Sequence, residues 1–318
     1  MTKPSLSKQD IEHALIRREL ATRSALDYIP YIQTDYIMGW FHHELLTTLD
    51  WFITEVEAGN RPRLLIFVPP RHGKSYIISE LFPSYLLGRH PEWELIMCTY
   101  NQGLASKFGR KVRGRLLDPA YRNIFPGTKL RSDSKAMDFQ ETTAGGFYKA
   151  TSIGGQLTGM GYNIGWFDDP LKGREQADSE SEREKQWDWW SAEFLTRQYR
   201  ESGIIGLQTR WHEDDLSGRI IEKEAERWRI ISYPALATKV EAHRNIGDAL
   251  CSDLIPLEQL LDLKKSMLPR DWSALYQQQP TPDEGILFKR EWLKSYNPQE
   301  VLAYAPSYSA EHNLGVFQ

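Results

Sequence analysis

The stretch LLIFVPPRHGKSYIISELFPSYLLG, residues 64–88, limits what this chain can fold into more than any other. Residues 64–68 are uninterruptedly apolar and read as a short buried strand. PPRHGKS reads as a turn, and the residues after it as a helix that stops near Gly88, with Pro91 just beyond. The unit is strand, turn, helix, and the texture continues downstream. ELIMCTY is a second apolar strand, followed by a helix over about 102–117. IGWFDDP, GIIGLQT and WRIISYP are further strands, with an aromatic-rich helix around 187–194 between the first two. Such alternation predicts an α/β sheet with helices packed against it.

The flanks differ. Over the first sixty residues Ile11, Leu15, Ile16 and Leu20 fall at helical spacing, and a second apolar-periodic run covers 36–56. Residues 133–165 carry Gly145, Gly146, Gly154, Gly155, Gly159 and Gly161, which predicts tight hairpins or close backbone packing. Beyond about Ala235 the alternation weakens into polar connections, two short helices near 256–268 and 271–278, and the linker-like QQPTPDEG. The reading divides the chain into a helical N-terminal segment (1–60), an α/β core (61–235), a small subdomain with linker (236–285) and a tail (286–318).

Composition removes several classes. With 41% hydrophobic residues and 12% aromatics a sizeable core is available, so disorder is excluded. A net charge of −4 excludes a chain-wide basic footprint, and any nucleic-acid contact must be local. Cys98 and Cys251 are too few for a disulfide scaffold. Apolar runs stay far below the roughly 20 residues a membrane helix needs, and the N-terminus lacks a signal core, so a cytosol-type protein is expected.

Gly73-Lys74-Ser75, between a buried strand and a helix, is the chemically loaded half of a phosphate-binding loop. Backbone amides would hold phosphates, Lys74 would reach the outer ones, and Ser75 would offer a hydroxyl to magnesium. Val68 stands where the full pattern has its leading glycine, and the tripeptide alone fits an exposed turn as well. Asp168 and Asp169 end the strand IGWF and would face the crevice at its carboxyl end. One could hold a magnesium-bound water while the other orients the attacking water; the bland alternative is a strand end and an Asp-Pro turn. Thr209-Arg210 closes a third strand, where a residue can sense the outer phosphate, or can simply be a turn with a buried Trp211. The run His212, Glu213, Asp214, Asp215 lacks paired metal-ligand spacing and reads as a helix N-terminus. Lys107, Arg110, Lys111, Arg113 and Arg115 are the local DNA-contact candidates, with a solvated helix face as the plain alternative. His42-His43 is a candidate for lying near a nucleotide base, or has no special role.

Taken in order, VPPRHGKS, SELFPSYLLG, TYNQGLASKFGRKVRGRL, GGQLTGMGYN, WFDDPLKGREQADSESEREKQWDWW, TRWHEDDLSGR and SALYQQQPTPDEGILFKREW resemble the large terminase subunit of tailed bacteriophages and prophages, over roughly 36–296. The resemblance implies a P-loop NTPase of the additional-strand (ASCE) type, a mainly parallel sheet flanked by helices. It implies an ATP- and Mg2+-dependent motor that moves double-stranded viral DNA into a procapsid. Its partners would be DNA, the portal protein, the small terminase subunit and further copies in a ring docked at the portal vertex, in the cytoplasm of a bacterial host.

Carried onto this sequence, Pro70, Arg71, His72, Gly73, Lys74 and Ser75 form the Walker A loop. Ser75 and Asp168 become the metal side, Asp169 the catalytic carboxylate, and Thr209 and Arg210 the coupling motif. Relatives often have an arginine in the Gly-rich stretch, where this chain has Thr158 and Met160, so Arg71 becomes the arginine candidate, with Arg174 and Arg210 behind it. Full-length relatives continue into a metal-dependent nuclease domain. Here only Glu300 and Glu311 are acidic beyond Tyr296, so nuclease activity is not expected of this chain. The competing readings are a helicase-like translocase and a non-catalytic nucleotide-binding or portal-docking module.

Overall fold

The apolar runs become the strands of one seven-stranded sheet: β1 (Arg63–Phe67), β2 (Glu94–Thr99), β3 (Phe139–Glu141), β4 (Phe147–Ser152), β5 (Tyr162–Asp168), β6 (Gln198–Gln208) and β7 (Arg229–Ser232). The computed structural model describes residues 7–134 and 136–281. These fall in one compact unit, and the expected tail at 286–318 lies outside them. Spatial order is β3-β4-β2-β5-β6-β1-β7. Only β3 and β4 pair antiparallel; every other neighbour is parallel. Parallel pairing needs crossovers that cover both faces of a sheet, which is why β1 is buried along its whole length and reads as a solid apolar run.

One face carries α1 (Lys8–Arg23), α2 (Ala25–Ile32), α3 (Trp40–Glu57), a π-wound segment Tyr76–Leu81 that runs into α4 (Phe82–Arg89), α5 (Gln102–Leu117) and α6 (Pro119–Ile124). Their core takes Leu64, Ile66, Leu95, Met97, Ile164 and Trp166 from the strands. The other face carries α7 (Arg174–Asp178), α8 (Glu180–Asp188) with its π-wound continuation Trp189–Phe194, and α9 (Leu216–Glu224), over Leu65, Phe67, Ile96, Cys98 and Phe167. Alternate residues of each strand thus feed opposite cores, as the two-residue repeat of a strand requires. A third, small core of Ala235, Leu236, Ile255, Leu260, Trp272 and Tyr276 lies around α10 (Leu257–Ser266) and α11 (Pro269–Asp271).

One expectation needs correction in detail. The N-terminal helix forms, capped by Ser7 and Asp10, yet its spaced apolar residues Ile11, Leu15, Ile16 and Leu20 are all exposed, and Ala21 is the residue it buries. The Gly-rich stretch holds one hairpin, β3–β4, and otherwise the close backbone packing that is its other reading, with Gly146, Gly155 and Gly161 pressed against neighbours. At the hairpin turn Gly146 presses on the Pro91 carbonyl, where a Cβ would come within 2.4 Å.

The sheet order decides where the chemistry sits. β6 lies between β1 and β5. In register, Phe67 of β1 sits beside Gln208 and Asp168 of β5 beside Leu207. The carboxyl ends of three strands distant in sequence therefore open side by side.

Candidate functional site

Leaving β1, the chain turns through Pro69 and Pro70 and enters a helix at Lys74. Arg71 and Gly73 have left-handed backbones, φ 66° and 80°, so that amides on either side curve toward one point. At Gly73 this conformation and a close neighbour both demand glycine, since a Cβ would fall 2.2 Å from the Tyr36 hydroxyl. The loop's amides lead straight into a helix N-terminus, whose first N–H groups have no partner within the helix.

The loop is braced from behind. The Gly39 amide donates to Nδ1 of buried His42 at 2.9 Å, which fixes the imidazole hydrogen on Nε2. Nε2 lies 3.1 Å from the His72 carbonyl oxygen and 3.1 Å from the Tyr36 hydroxyl, so His42 donates into the loop's own backbone. Burial pushes His42 down to about 4, with the neighbouring His72 and His43 adding to the effect and the His72 carbonyl opposing it. His43 points to solvent, so only the first of the histidine pair reaches the loop. His72 is itself buried and donates from Nδ1 to the Pro70 carbonyl at 2.9 Å.

Across from the loop stand the two acids. Lys74 Nζ meets Asp169 Oδ2 at 2.5 Å. Asp168 accepts from two hydroxyls, Ser75 at 3.0 Å on Oδ1 and Ser79 at 2.7 Å on Oδ2. The other oxygen of Asp169 accepts the Thr209 amide at 2.8 Å, while the Thr209 hydroxyl donates to the Val68 carbonyl at 3.3 Å. Asp169, one residue past β5, is left-handed at φ 42°. Such a backbone costs of order 1–3 kcal/mol in a non-glycine residue and is found where surrounding contacts enforce it.

Electrostatics follow from this crowding. Burial, then the charge of Asp169, push Asp168 up to about 7, against the pull of Lys74 and the two serine hydroxyls. Burial alone would lower Lys74, but Asp169 and Asp168 outweigh it and hold the ammonium above the usual lysine value. Among the described residues no three His, Cys, Asp or Glu side chains gather as a metal cage. Ser75 and Asp168 are hard oxygen donors 3.0 Å apart, and this pair fits a magnesium ion that keeps most of its ligands as water and phosphate.

The remaining candidates separate. Arg71 is exposed at the lip of the loop. Arg210 is buried, its Nε 3.1 and 3.0 Å from the two oxygens of Asp215, its guanidinium 5.1 Å over the Phe67 ring. Arg174 donates to the Trp211 carbonyl at 2.7 Å and is also held by Asp271. Both guanidiniums are thus engaged by neighbours within this chain, Arg210 buried and Arg174 partly exposed. Asp215 caps α9 through the Gly218 amide at 2.9 Å, so the His212–Asp215 run does open a helix.

On α5, Lys107, Arg110 and Lys111 are exposed. Arg113 instead bonds the Ser134 carbonyl and Gln140, and Arg115 bonds Gln33 and Tyr76. The basic run is therefore not one open face. Sequence reading missed Ser79, Trp166 and Tyr36. For the first two a signal existed, as Ser79 is four residues after Ser75 and Trp166 two before Asp168, spacings that share a helix or strand face.

Comparison with known proteins bears on the fold and the family. Among solved structures, the crystal structure of the HK97 bacteriophage large terminase matches with a TM-score of 0.50 at 13% identity, covering 77% of this chain. The chain spans about half the length of that protein, 51%. No curated protein matches in sequence. Residues 65–295 match the family described as terminase large subunit, T4likevirus-type, N-terminal. That match covers well over half of the chain, which therefore belongs to the terminase large subunit family.

Proposed function

We propose that this chain is an ATP-hydrolysing motor of the additional-strand P-loop type that drives double-stranded DNA into a phage procapsid. One observation carries the reading. Lys74, Ser75, Asp168, Asp169 and Thr209, drawn from three strands, converge within hydrogen-bonding distance around a phosphate-type loop. A strand, β6, inserted between the loop strand and the acid strand supports the additional-strand class.

In this mechanism ATP is the substrate, its outer phosphates lying against the amides that open the helix at Lys74. Ser75 and Asp168 would hold magnesium, which when bound supplies charge neutralisation to the phosphates. Lys74 and Asp169 neutralise each other in the free protein. When a γ-phosphate draws Lys74 away, Asp169 is left with an uncompensated oxygen facing the site. Nucleotide arrival and the arming of Asp169 are thereby one event. Asp169 then orients water for in-line attack and accepts its proton, while Lys74 and the amides stabilise the charge that develops on the phosphoryl oxygens.

Thr209, bonded to Asp169 and to the carbonyl of Val68 just past β1, connects this exchange to the ends of β6 and β1. It is the natural coupling residue. Arg71, exposed on the lip, is the arginine positioned to act across a ring of subunits. Lys107, Arg110 and Lys111 are the part of the basic run left open to a phosphate backbone. Portal protein and small subunit are the partners this role requires.

The test is magnesium-dependent ATP hydrolysis by the wild type, Lys74→Ala and Asp169→Asn, with and without double-stranded DNA, over concentrations that span self-association. Loss of at least about 10²-fold in both variants is expected. Turnover that survives Asp169→Asn would remove Asp169 from its role. ATP binding without any turnover, even with DNA and portal present, would favour a non-catalytic docking module.

A further inference from the structure

Ser79 lies one helical turn beyond Ser75, inside the π-wound segment Tyr76–Leu81, with none of its surface exposed. A hydroxyl has one hydrogen to give and lone pairs to receive with. At Ser79 both are committed. Trp166 Nε1–H donates to its oxygen at 3.2 Å, and its own hydrogen goes to Asp168 Oδ2 at 2.7 Å. The indole can only donate, so the direction of the chain Trp166 to Ser79 to Asp168 is fixed.

Trp166 and Asp168 are two apart on β5 and face the same helix. Trp166 is itself packed 5.9 Å from the Tyr148 ring in a closed core. The acid is thus held through a serine that a buried indole locks in place.

The two serines on Asp168 do different work. Ser75 belongs to the loop, and its hydroxyl is the one that a cation would take. Ser79 is out of reach of solvent, and its hydrogen goes to Asp168. We propose that Ser79, locked by Trp166, is a positioning residue that keeps Asp168 oriented when Ser75 is drawn to the metal. The inference rests on the reading of Ser75 and Asp168 as the magnesium side of an ATP site. Outer partners of metal-binding acids commonly contribute 10- to 100-fold in metal affinity or activity. A π-turn at this point is consistent with such a role, since these irregular turns are frequent at functional sites.

The experiment measures binding of a fluorescent ATP analogue, with chelator and across a magnesium titration, for the wild type, Ser79→Ala, Ser79→Thr and Trp166→Phe. Thermal unfolding of each is recorded alongside. Ser79→Ala is expected to need about tenfold more magnesium for half-maximal enhancement of binding, with metal-free affinity unchanged. Ser79→Thr, which keeps the hydroxyl, should restore the wild-type value. Trp166→Phe, which keeps the ring and loses the donor, should fall between.

A merely structural serine would lower the unfolding temperature without moving the magnesium midpoint. That result, or a midpoint unchanged in both Ser79→Ala and Trp166→Phe, overturns the proposal alone. A wild type whose affinity ignores magnesium overturns it together with the reading of the site beneath it.

Discussion

Replacing Arg210 with alanine separates two roles that its place beside Thr209 leaves entangled. If the guanidinium works in the nucleotide site, its loss should stop turnover and spare the fold. The geometry assigns it to the frame. Asp215 has no exposed surface and takes Arg210 Nε on both oxygens, and Arg210 Nη2 also reaches the carbonyls of His212 and Glu213 at 3.3 Å. Removing one member of a buried ion pair costs about 3–5 kcal/mol, because the other charge stays buried without compensation.

Here Asp215 keeps three amide donors, Trp211 at 3.2 Å, His212 at 3.4 Å and Gly218 at 2.9 Å. The expected loss is therefore near the low end, about 3 kcal/mol, or roughly a 150-fold shift toward the unfolded state. Equilibrium urea unfolding reads it directly. Arg210→Met combined with Asp215→Asn, which removes both charges and keeps a capping side chain, should recover a large part of the loss seen in Arg210→Met. An Arg210→Ala protein that unfolds at the wild-type urea concentration, yet hydrolyses no ATP, would refute the assignment and return Arg210 to the site.

Two further outcomes follow from the brace behind the loop. His42 ordinarily titrates near 6.5 and is pushed down to about 4 in the fold. Above pH 6.5 it is neutral in both states and contributes no pH dependence. As pH falls through 6.5 toward 4 the unfolded chain takes up a proton that the fold refuses, so stability is lost with acidification, by about 2 kcal/mol at pH 5. Asp168, raised to about 7, acts with the opposite sign over part of this range, so the quantity to read is the gap between wild type and His42→Gln in urea at pH 8 and pH 5. A gap that does not change with pH would mean that His42 is not held neutral. Gly73→Ala must place a methyl 2.2 Å from the Tyr36 hydroxyl on a left-handed backbone. It should abolish ATP-dependent thermal stabilisation, and Tyr36→Phe in the same chain should restore part of it; full binding by the single variant would contradict the close packing seen here.

What was legible in the sequence, and what was not, follows from which distances a sequence encodes. Residues 64–68 announce a buried strand because five neighbours agree, and Gly73-Lys74-Ser75 announces its turn because the chemistry of the loop is contained within it. The acids at 168–169 were found for the same local reason, as the polar end of an apolar strand. The order in which strands lie side by side is not local, and everything that makes the site a site depends on it. Lys74 meets Asp169, and Thr209 meets both Asp169 and the Val68 carbonyl, only because β6 is inserted between β1 and β5. The same limit applies to the cations. Charge made Arg113 and Arg115 stand out, but an arginine's five donors are satisfied as well by carbonyls and side-chain amides as by phosphates. For Arg113 and Arg115 the acceptors come from segments distant in sequence, the Ser134 carbonyl and Gln33. Arg71 differs for a local reason again: its left-handed backbone sits at the tip of the turn and leaves it exposed.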